Sequence, residues 1–177
     1  MPTVDFTWYN YKIDLRDNLT EKRKRLSSKE AIGGLEDKRA VYIITINEPF
    51  CISYPRRPSN ILYIGRGAVW NRLNQGHSKW MEKLQKGLGL TFSIHFGSPR
   101  VQKTTDAYKH VEGDLIRIFI RDFGDFPLIN RQSALETKAY DYSDAVLDIL
   151  KAPISDSYMA GISLFLDHSI MVDDLPE

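Results

Sequence analysis

The chain contains a single cysteine, Cys51, among its 177 residues. One cysteine excludes an internal disulfide and a cysteine-rich zinc site. No run of apolar residues is long enough to cross a membrane, and the opening MPTVDFTWYN does not resemble a signal peptide. Internal repeats and low-complexity segments are also absent. We therefore expect a cytoplasmic protein without a membrane partner.

The net charge of +1 conceals an uneven distribution of charge along the chain. Residues 1–39 hold 9 Lys/Arg against 7 Asp/Glu, residues 40–131 hold 13 against 7, and residues 132–177 hold 2 against 9. Charge varies along many soluble chains, but a basic middle with embedded tyrosines also suits a polyanion such as nucleic acid. The length and the 42% hydrophobic content fit one domain with extensions.

Local patterns predict a small mixed α/β (α+β) unit. A basic helix over residues 19–32 is expected to end at Gly33 and Gly34. Three short strands, expected to form an antiparallel sheet, are predicted at RAVYIITI (39–46), ILYIG (61–65) and LTFSIHFG (90–97). Further helices are predicted over residues 69–84, 104–123 and 144–150, and Gly76 is expected to end or bend the first of them.

The segment NILYIGRGAVWNRLNQGHSK (60–79) places a Gly-Arg-Gly sequence between a strand and a helix. A P-loop needs G-x-x-x-x-G-K-[ST], and no Gly-Lys pair follows Gly65. A dinucleotide-binding fingerprint needs a third glycine where Trp70 stands. Both nucleotide-binding motifs are therefore excluded, and the glycines are expected to allow a tight strand-to-helix turn.

One carboxylate falls inside the apolar stripe of the helix predicted over residues 104–123. At about 100° per residue, Glu112 lies about 40° from Tyr108, between Phe119 and Phe123. An ionised carboxylate facing the core is costly unless a cation or hydrogen-bond donors meet it. Glu112 is therefore expected to contact a metal ion, an arginine or capping donors, unless its head reaches solvent at the rim.

Other polar residues of interest each have a common structural explanation when taken alone. A histidine on an apolar stripe, such as His77, is more often a satisfied core residue than a catalyst. Tyr42 and Tyr63 lie in apolar strands, where tyrosine usually packs in the core with its hydroxyl bonded. Arg72 fits an exposed arginine, and Asn130 fits a residue that caps or turns the exit loop.

Taken in order, these residues resemble the GIY-YIG nuclease superfamily over residues 39–131. The tripeptide AVY (40–42) stands in place of the first family tripeptide and keeps its tyrosine, and YIG (63–65) is intact. Arg72 and His77 follow on the next helix, Glu112 lies in VEGDLI on the later helix, and Asn130 ends PLIN. The five-residue spacing from Arg72 to His77 makes the fit of His77 the loosest.

The resemblance implies a three-stranded antiparallel sheet flanked by helices, spanning residues 39–131. Residues 1–38 would form a basic helical extension. Residues 132–177 would form an acidic extension packed on this core or at a dimer interface. The resemblance also implies metal-dependent cleavage of a phosphodiester bond by six residues, namely Tyr42, Tyr63, Arg72, His77, Glu112 and Asn130.

The roles implied by the resemblance divide between metal binding, proton transfer and phosphate binding. Glu112 would hold one Mg²⁺, for which Mn²⁺ could substitute, and the cation would stabilise the leaving oxygen. Tyr42 would be the general base, which requires a lowered phenol pKa and a proton acceptor such as His77. Arg72 would grip the scissile phosphate, and Tyr63 would support the water or phosphate. Asn130 would brace the site.

Double-stranded DNA is the expected partner, contacted by four cations: Arg56, Arg57, Arg66 and Lys79. No helix-turn-helix or zinc finger is evident, so a compact sequence-specific restriction-type enzyme, acting as a homodimer, is the favoured function. The alternatives are a structure-selective or homing-type DNA endonuclease, or a non-catalytic nucleic-acid-binding module on the same fold.

Overall fold

The computed structural model describes residues 2–13, 29–130, 135–151 and 160–163. The strands are β1 (Thr3–Val4), β2 (Tyr9–Ile13), β3 (Val41–Ile46), β4 (Phe50–Ser53), β5 (Pro58–Ser59), β6 (Ile61–Arg66), β7 (Phe92–Gly97), β8 (Asp141–Tyr142) and β9 (Ala160–Ser163). The helices are α1 (Lys29–Glu36), α2 (Val69–Arg72), α3 (Ser78–Leu88), α4 (Ala107–Phe123) and α5 (Asp144–Lys151), and a π-helical turn (Leu73–His77) joins α2 to α3. The mixed α/β class is therefore confirmed.

The central sheet has four antiparallel strands in the order β2–β7–β3–β6, so the prediction of three strands was wrong. The additional strand is β2, whose Tyr11 and Ile13 are buried. Its five residues, YNYKI, alternate too briefly to predict a strand by themselves. Because β2 precedes residue 39, the sheet extends beyond the predicted core.

Smaller strand pairs bring distant parts of the chain together. Strand β1 pairs with β8 in parallel, and β4 pairs antiparallel with β5 and parallel with β9. The buried Asp114 of α4 accepts hydrogen bonds from the backbone N–H groups of Lys138, Ala139 and Tyr140, and from the Tyr142 hydroxyl at 2.7 Å. These bonds anchor residues 138–142 to α4.

Glycine ends one helix as predicted but not another. Gly124, with φ +91°, follows α4. By contrast, α1 continues through Gly33 and Gly34 to Glu36. A Cβ on Gly34 would lie 3.1 Å from the Phe96 ring, so its missing side chain lets α1 pack closely on β7. The prediction that these two glycines end the helix was wrong.

Other expectations are confirmed in part or lie outside the described residues. Helix α5 is found where residues 144–150 predicted it. Most of the predicted basic helix, residues 19–28, and the acidic tail beyond residue 163 lie outside the described part of the chain. Among the residues that the structure describes, no helix combines the length and the apolar character that a membrane span requires.

Candidate active site

The register of the sheet places two tyrosines on one face. Tyr42 of β3 pairs with Gly65 of β6, and Ile44 pairs with Tyr63. Cross-strand partners share a face and side chains alternate along a strand, so both phenol rings project to the same side. Their ring centroids lie 5.8 Å apart.

Gly65 makes room for this pair of phenols. A Cβ at Gly65 would overlap the Tyr63 ring and would lie 2.9 Å from the Tyr42 hydroxyl oxygen. The strand-to-helix turn itself uses the other glycine of the segment, Gly67, whose φ is +104°. The prediction that both glycines serve the turn was therefore only half right, because Gly65 serves side-chain packing.

The π-helical turn explains the spacing between Arg72 and His77. The backbone N–H of Ser78 bonds to the carbonyl of Leu73, five residues earlier. In such a turn, residues five apart are related by one helical turn, whereas an α-helix needs three or four. The turn accommodates the long spacing that made the fit of His77 loose in the sequence. Gly76 lies inside it, so this glycine does not end the helix.

His77 is buried between the tyrosines and Trp80, with 6% of its surface exposed. Its Nε2 lies 2.7 Å from the Tyr42 hydroxyl oxygen, and its Nδ1 accepts a hydrogen bond from the Trp80 indole at 3.1 Å. Burial and, to a smaller extent, the Arg72 charge lower the His77 pKa to about 4. The imidazole is therefore neutral at pH 7.

Both phenols are protonated at neutral pH in the form that the structure describes. Tyr42 is fully buried, and burial raises its pKa well above the usual value. Tyr63 is half-buried, and burial followed by the Glu112 charge raises its pKa, against the lowering effects of the Tyr42 hydrogen bond and nearby arginines. The general-base role implied for Tyr42 needs a shift in the opposite direction.

Glu112 contacts an arginine, one of the partners expected for it. Its Oε2 lies 3.1 Å from Nη1 of Arg66, and 18% of its side chain is exposed. Nη2 of the same guanidinium lies 3.3 Å from Oε1 of Glu136. Burial nevertheless raises the Glu112 pKa to about 7, because the opposing charges of Arg66 and Arg72 only partly compensate.

Glu136 is a site residue that the sequence did not reveal. It lies beyond the predicted core, in the acidic part of the chain. A Cβ on Gly113 would overlap the backbone carbonyl of Glu136, so a glycine next to Glu112 lets the returning chain approach α4 closely. The only signal in the sequence was this glycine, and it does not identify the segment that approaches.

Arg72 is exposed at the end of α2, beside the group formed by the phenols, the imidazole and the carboxylate. Its positive charge lowers the pKa values of four residues, namely Tyr42, Tyr63, His77 and Glu112. Since such effects require proximity in a partly buried site, Arg72 borders the whole group. An exposed guanidinium in this position is available to an anionic ligand.

Asn130 supports the strand that carries Tyr63. Its Oδ1 accepts a hydrogen bond from the Ile64 N–H at 2.9 Å, and its Nδ2 donates to the Ile64 carbonyl at 2.7 Å. Both backbone groups of one edge-strand residue are thereby bonded. Asn130 acts on the strand between Tyr63 and Gly65 and does not contact the phenols through these bonds.

Two of the four cations predicted to contact DNA follow residues of this group closely in the chain. Arg66 leaves β6 and binds Glu112. Lys79 is exposed at the start of α3, two residues after His77. About a third of the Arg66 side chain is exposed (34%), so its guanidinium can leave Glu112 for another partner.

The other two cations, Arg56 and Arg57, lie at the C-terminal end of α4. The Arg56 guanidinium donates to the Arg121 carbonyl, and the Arg57 guanidinium lies 4.2 Å from the centre of the Phe123 ring. Along the helix axis, Phe123 is about 16 Å from Glu112. Arg56 and Arg57 therefore belong to a surface separate from the candidate site. Their contact with DNA remains a prediction.

Glu112 is the carboxylate of this group that could hold a divalent cation. Mg²⁺ is commonly bound by one or two carboxylates, with waters and substrate phosphates completing its ligands. Glu112 supplies a carboxylate whose pKa is raised because the nearby positive charges only partly compensate for its burial. Glu136 contacts the guanidinium of Arg66, which also contacts Glu112. In the described part of the chain, no three His, Cys, Asp or Glu side chains are grouped to hold a metal.

The structure thus brings together residues that are far apart in the sequence. The phenols, the imidazole and Arg72 come from β3, β6 and the helical run after it, Glu112 comes from α4, and Asn130 braces β6. Trp80, which the sequence identified only as part of an apolar stripe, contacts His77. In comparisons with protein-family models, with curated proteins and with solved structures, the chain matches none.

Proposed function

We propose that this chain is an endonuclease of the GIY-YIG type that hydrolyses phosphodiester bonds of double-stranded DNA with a divalent cation. The observation that carries the proposal is that residues from positions 42 to 112 come together around one pair of phenols, beside a strand that Asn130 braces. Each residue alone has a structural explanation. A buried carboxylate of raised pKa beside arginines, phenols and a neutral imidazole is a combination typical of functional sites.

Glu112 would hold the cation, which when bound would supply Lewis-acid stabilisation of charge on the phosphate and on the leaving oxygen. Arg72 donates to the scissile phosphate, because a guanidinium matches two phosphate oxygens. Asn130 fixes the strand that carries Tyr63. The general-base role that the resemblance implies for Tyr42 would require the Tyr42 pKa to fall on substrate binding, opposite to the shift that burial gives it in the described form.

Under this proposal, Arg66 exchanges Glu112 for a phosphate of the DNA when the cation binds. Without a cation it neutralises Glu112, and in the complex with DNA it contacts a phosphate beside the one held by Arg72. Its second carboxylate partner, Glu136, is half exposed, with 51% of the side chain accessible. Exposed ion pairs of this kind contribute about 1 kcal/mol or less, so loss of the Arg66–Glu136 pair costs little, and a cation at Glu112 would replace the positive charge that Arg66 supplies there.

A restriction-type enzyme that acts as a homodimer is the sub-class we favour. Arg66 and Arg72 bring positive charge to the Glu112 site, and Lys79 is exposed two residues after His77, so these cations suit contact with a phosphate backbone. Cleavage of both strands of a duplex needs two such sites, which a symmetric dimer supplies. A non-catalytic nucleic-acid-binding module is the second candidate, and the ion pair between Glu112 and Arg66 favours it.

The test is incubation of the purified chain with plasmid and phage DNA in Mg²⁺, in Mn²⁺ and in EDTA. A discrete ladder of fragments that requires the cation is the expected result. Smearing, or preference for branched DNA, would support the structure-selective alternative. Salt-sensitive binding without cleavage in any divalent cation would support the binding module. If the chain neither cleaves nor binds DNA, both functions are overturned.

A further inference from the structure

The hydrogen bond from Trp80 determines which nitrogen of His77 carries the proton. An indole N–H can only donate, so Nδ1 of His77, 3.1 Å from the Trp80 indole nitrogen, must be the unprotonated acceptor. A neutral imidazole has one N–H, which must then be on Nε2. Nε2 lies 2.7 Å from the Tyr42 hydroxyl oxygen. His77 is therefore the donor to Tyr42.

This direction constrains the proton of Tyr42 itself. The Tyr42 oxygen accepts from His77, so its own O–H must point to another acceptor. We take Tyr63 as that acceptor, because its ring centroid lies 5.8 Å from that of Tyr42 on the same face of the sheet, and because the coupling of the two hydroxyls raises the Tyr42 pKa and lowers the Tyr63 pKa, as a bond donated by Tyr42 would. The Tyr63 oxygen then accepts a hydrogen bond from Tyr42 on the core side. The O–H of Tyr63 can then donate to a group on the solvent side.

We propose that Trp80 is a positioning residue that fixes the proton of His77 on Nε2, so that a one-way series of hydrogen-bond donors runs from Trp80 through His77 and Tyr42 to Tyr63. At its end the Tyr63 hydroxyl, on the half-buried phenol, donates to an anionic phosphate oxygen of the substrate. Successive donors polarise one another, which strengthens the last bond of the series. In this arrangement His77 does not accept a proton from Tyr42.

The role of Tyr63 rests on the proposed nuclease function, whereas the position of the His77 proton does not. Both phenols are protonated in the described form, as a series of donors requires. A donor at the end of the series suits a phosphate, which offers acceptors only. Such donors act by stabilising charge on the phosphate.

Trp70 offers a matched control for Trp80 on the same helical run. Both are buried, with 5% and 3% of their surfaces exposed. The Trp70 indole nitrogen has no hydrogen-bond partner among the described residues. Trp70→Phe and Trp80→Phe therefore remove the same atoms from similar surroundings, but only Trp80→Phe removes a donor to His77.

Long-range ¹H–¹⁵N spectra of the histidine rings test the first step directly, because protonated and unprotonated ring nitrogens resonate at well-separated shifts. His77 signals are assigned by their loss in His77→Gln. We expect a proton on Nε2 in the wild type and in Trp70→Phe, and a population with the proton on Nδ1 in Trp80→Phe. If the proton is on Nδ1 in the wild type, the proposal is overturned. An unchanged spectrum in Trp80→Phe would also overturn it.

Cleavage of plasmid DNA at saturating protein tests the second step. We expect Trp80→Phe to cleave roughly tenfold more slowly than the wild type, about the effect of one hydrogen bond, and Trp70→Phe to match the wild type. Equal rates for Trp80→Phe and wild type would overturn the catalytic part. If the wild type cuts no DNA, the proposed function fails while the ring spectra still decide the tautomer.

Discussion

Nη1 of Arg66 lies 3.1 Å from Oε2 of Glu112, so the carboxylate proposed to hold a cation is paired with a guanidinium in the described form. The same guanidinium reaches Glu136 through Nη2. A divalent cation at Glu112 would therefore compete with a positive group supplied by the chain. This competition makes metal binding measurable without any substrate.

Arg66→Gln is expected to strengthen the effect of metal on stability. Without Arg66, the Glu112 charge has lost its nearest counter-ion, so Mn²⁺ should raise the melting temperature more in Arg66→Gln than in the wild type. Thermal unfolding with and without Mn²⁺ measures this difference. Arg39→Gln, which removes an exposed arginine paired with Asp37, is the control and should respond like the wild type. An equal Mn²⁺ response in Glu112→Gln would contradict the site.

The raised pKa of Glu112 predicts a pH-dependent loss of stability. Its pKa is about 7 in the folded chain against an ordinary 4.5, so its stabilising contribution is complete below pH 4.5 and is lost as the pH rises through 7. Glu112→Gln removes this loss and should gain stability relative to the wild type between pH 4.5 and 8, by up to roughly 3–4 kcal/mol.

Urea unfolding of Glu112→Gln and of the wild type across this pH range gives the comparison. Taking the difference between the two proteins cancels the buried histidines, whose lowered pKa values destabilise the fold at acid pH. A constant difference from pH 4.5 to pH 8 would show that Glu112 has an ordinary pKa.

Gly65→Ala is expected to destabilise the chain and to disturb the phenols. Its Cβ would overlap the Tyr63 ring and lie 2.9 Å from the Tyr42 hydroxyl oxygen, and overpacking of this kind costs about 1–3 kcal/mol. Gly33→Ala is the matched control, because nothing lies within 4 Å of its Cβ in α1. We expect Gly33→Ala to stabilise by about 0.5–1 kcal/mol. Urea unfolding that shows equal effects would contradict the packing argument.

Asn130→Ala removes both hydrogen bonds to Ile64 and should cost about 1–3 kcal/mol of stability. Since Asn130 acts on β6, the amide signals of Tyr63 and Gly65 should shift in the spectrum of the variant. Asn71→Ala, at an exposed position of α2, should change neither stability nor these signals. Loss of activity by Asn130→Ala with no change at β6 would point to direct contact with substrate.

The sequence predicted the surroundings of Glu112 better than their identity. Helical periodicity placed Glu112 in an apolar stripe and required a partner for it. The partner is an arginine on a strand edge, and periodicity within one helix cannot identify a contact that depends on sheet register. Asp114 shows the complementary failure, because it lies outside the apolar stripe yet is buried by residues 138–142, which bond to it.

The features that the sequence did not predict share a physical cause. The π-helical turn changes the helical period locally, so a fixed angle per residue cannot place His77 relative to Arg72. Trp80 fits an apolar stripe equally well whether or not its N–H has a partner. Strand β2 alternates over five residues only, and its pairing with β7 gives it a place in the sheet.

The rate of plasmid cleavage by the wild type, Glu112→Gln and Glu82→Gln in Mg²⁺ tests the proposed function most directly. Glu82 is an exposed glutamate of α3, so Glu82→Gln makes the same chemical change away from the site. We predict discrete fragments from the wild type and from Glu82→Gln, no cleavage in EDTA, and at least about 100-fold slower cleavage by Glu112→Gln. Cleavage by Glu112→Gln at the wild-type rate, or cleavage that persists in EDTA, would contradict the account.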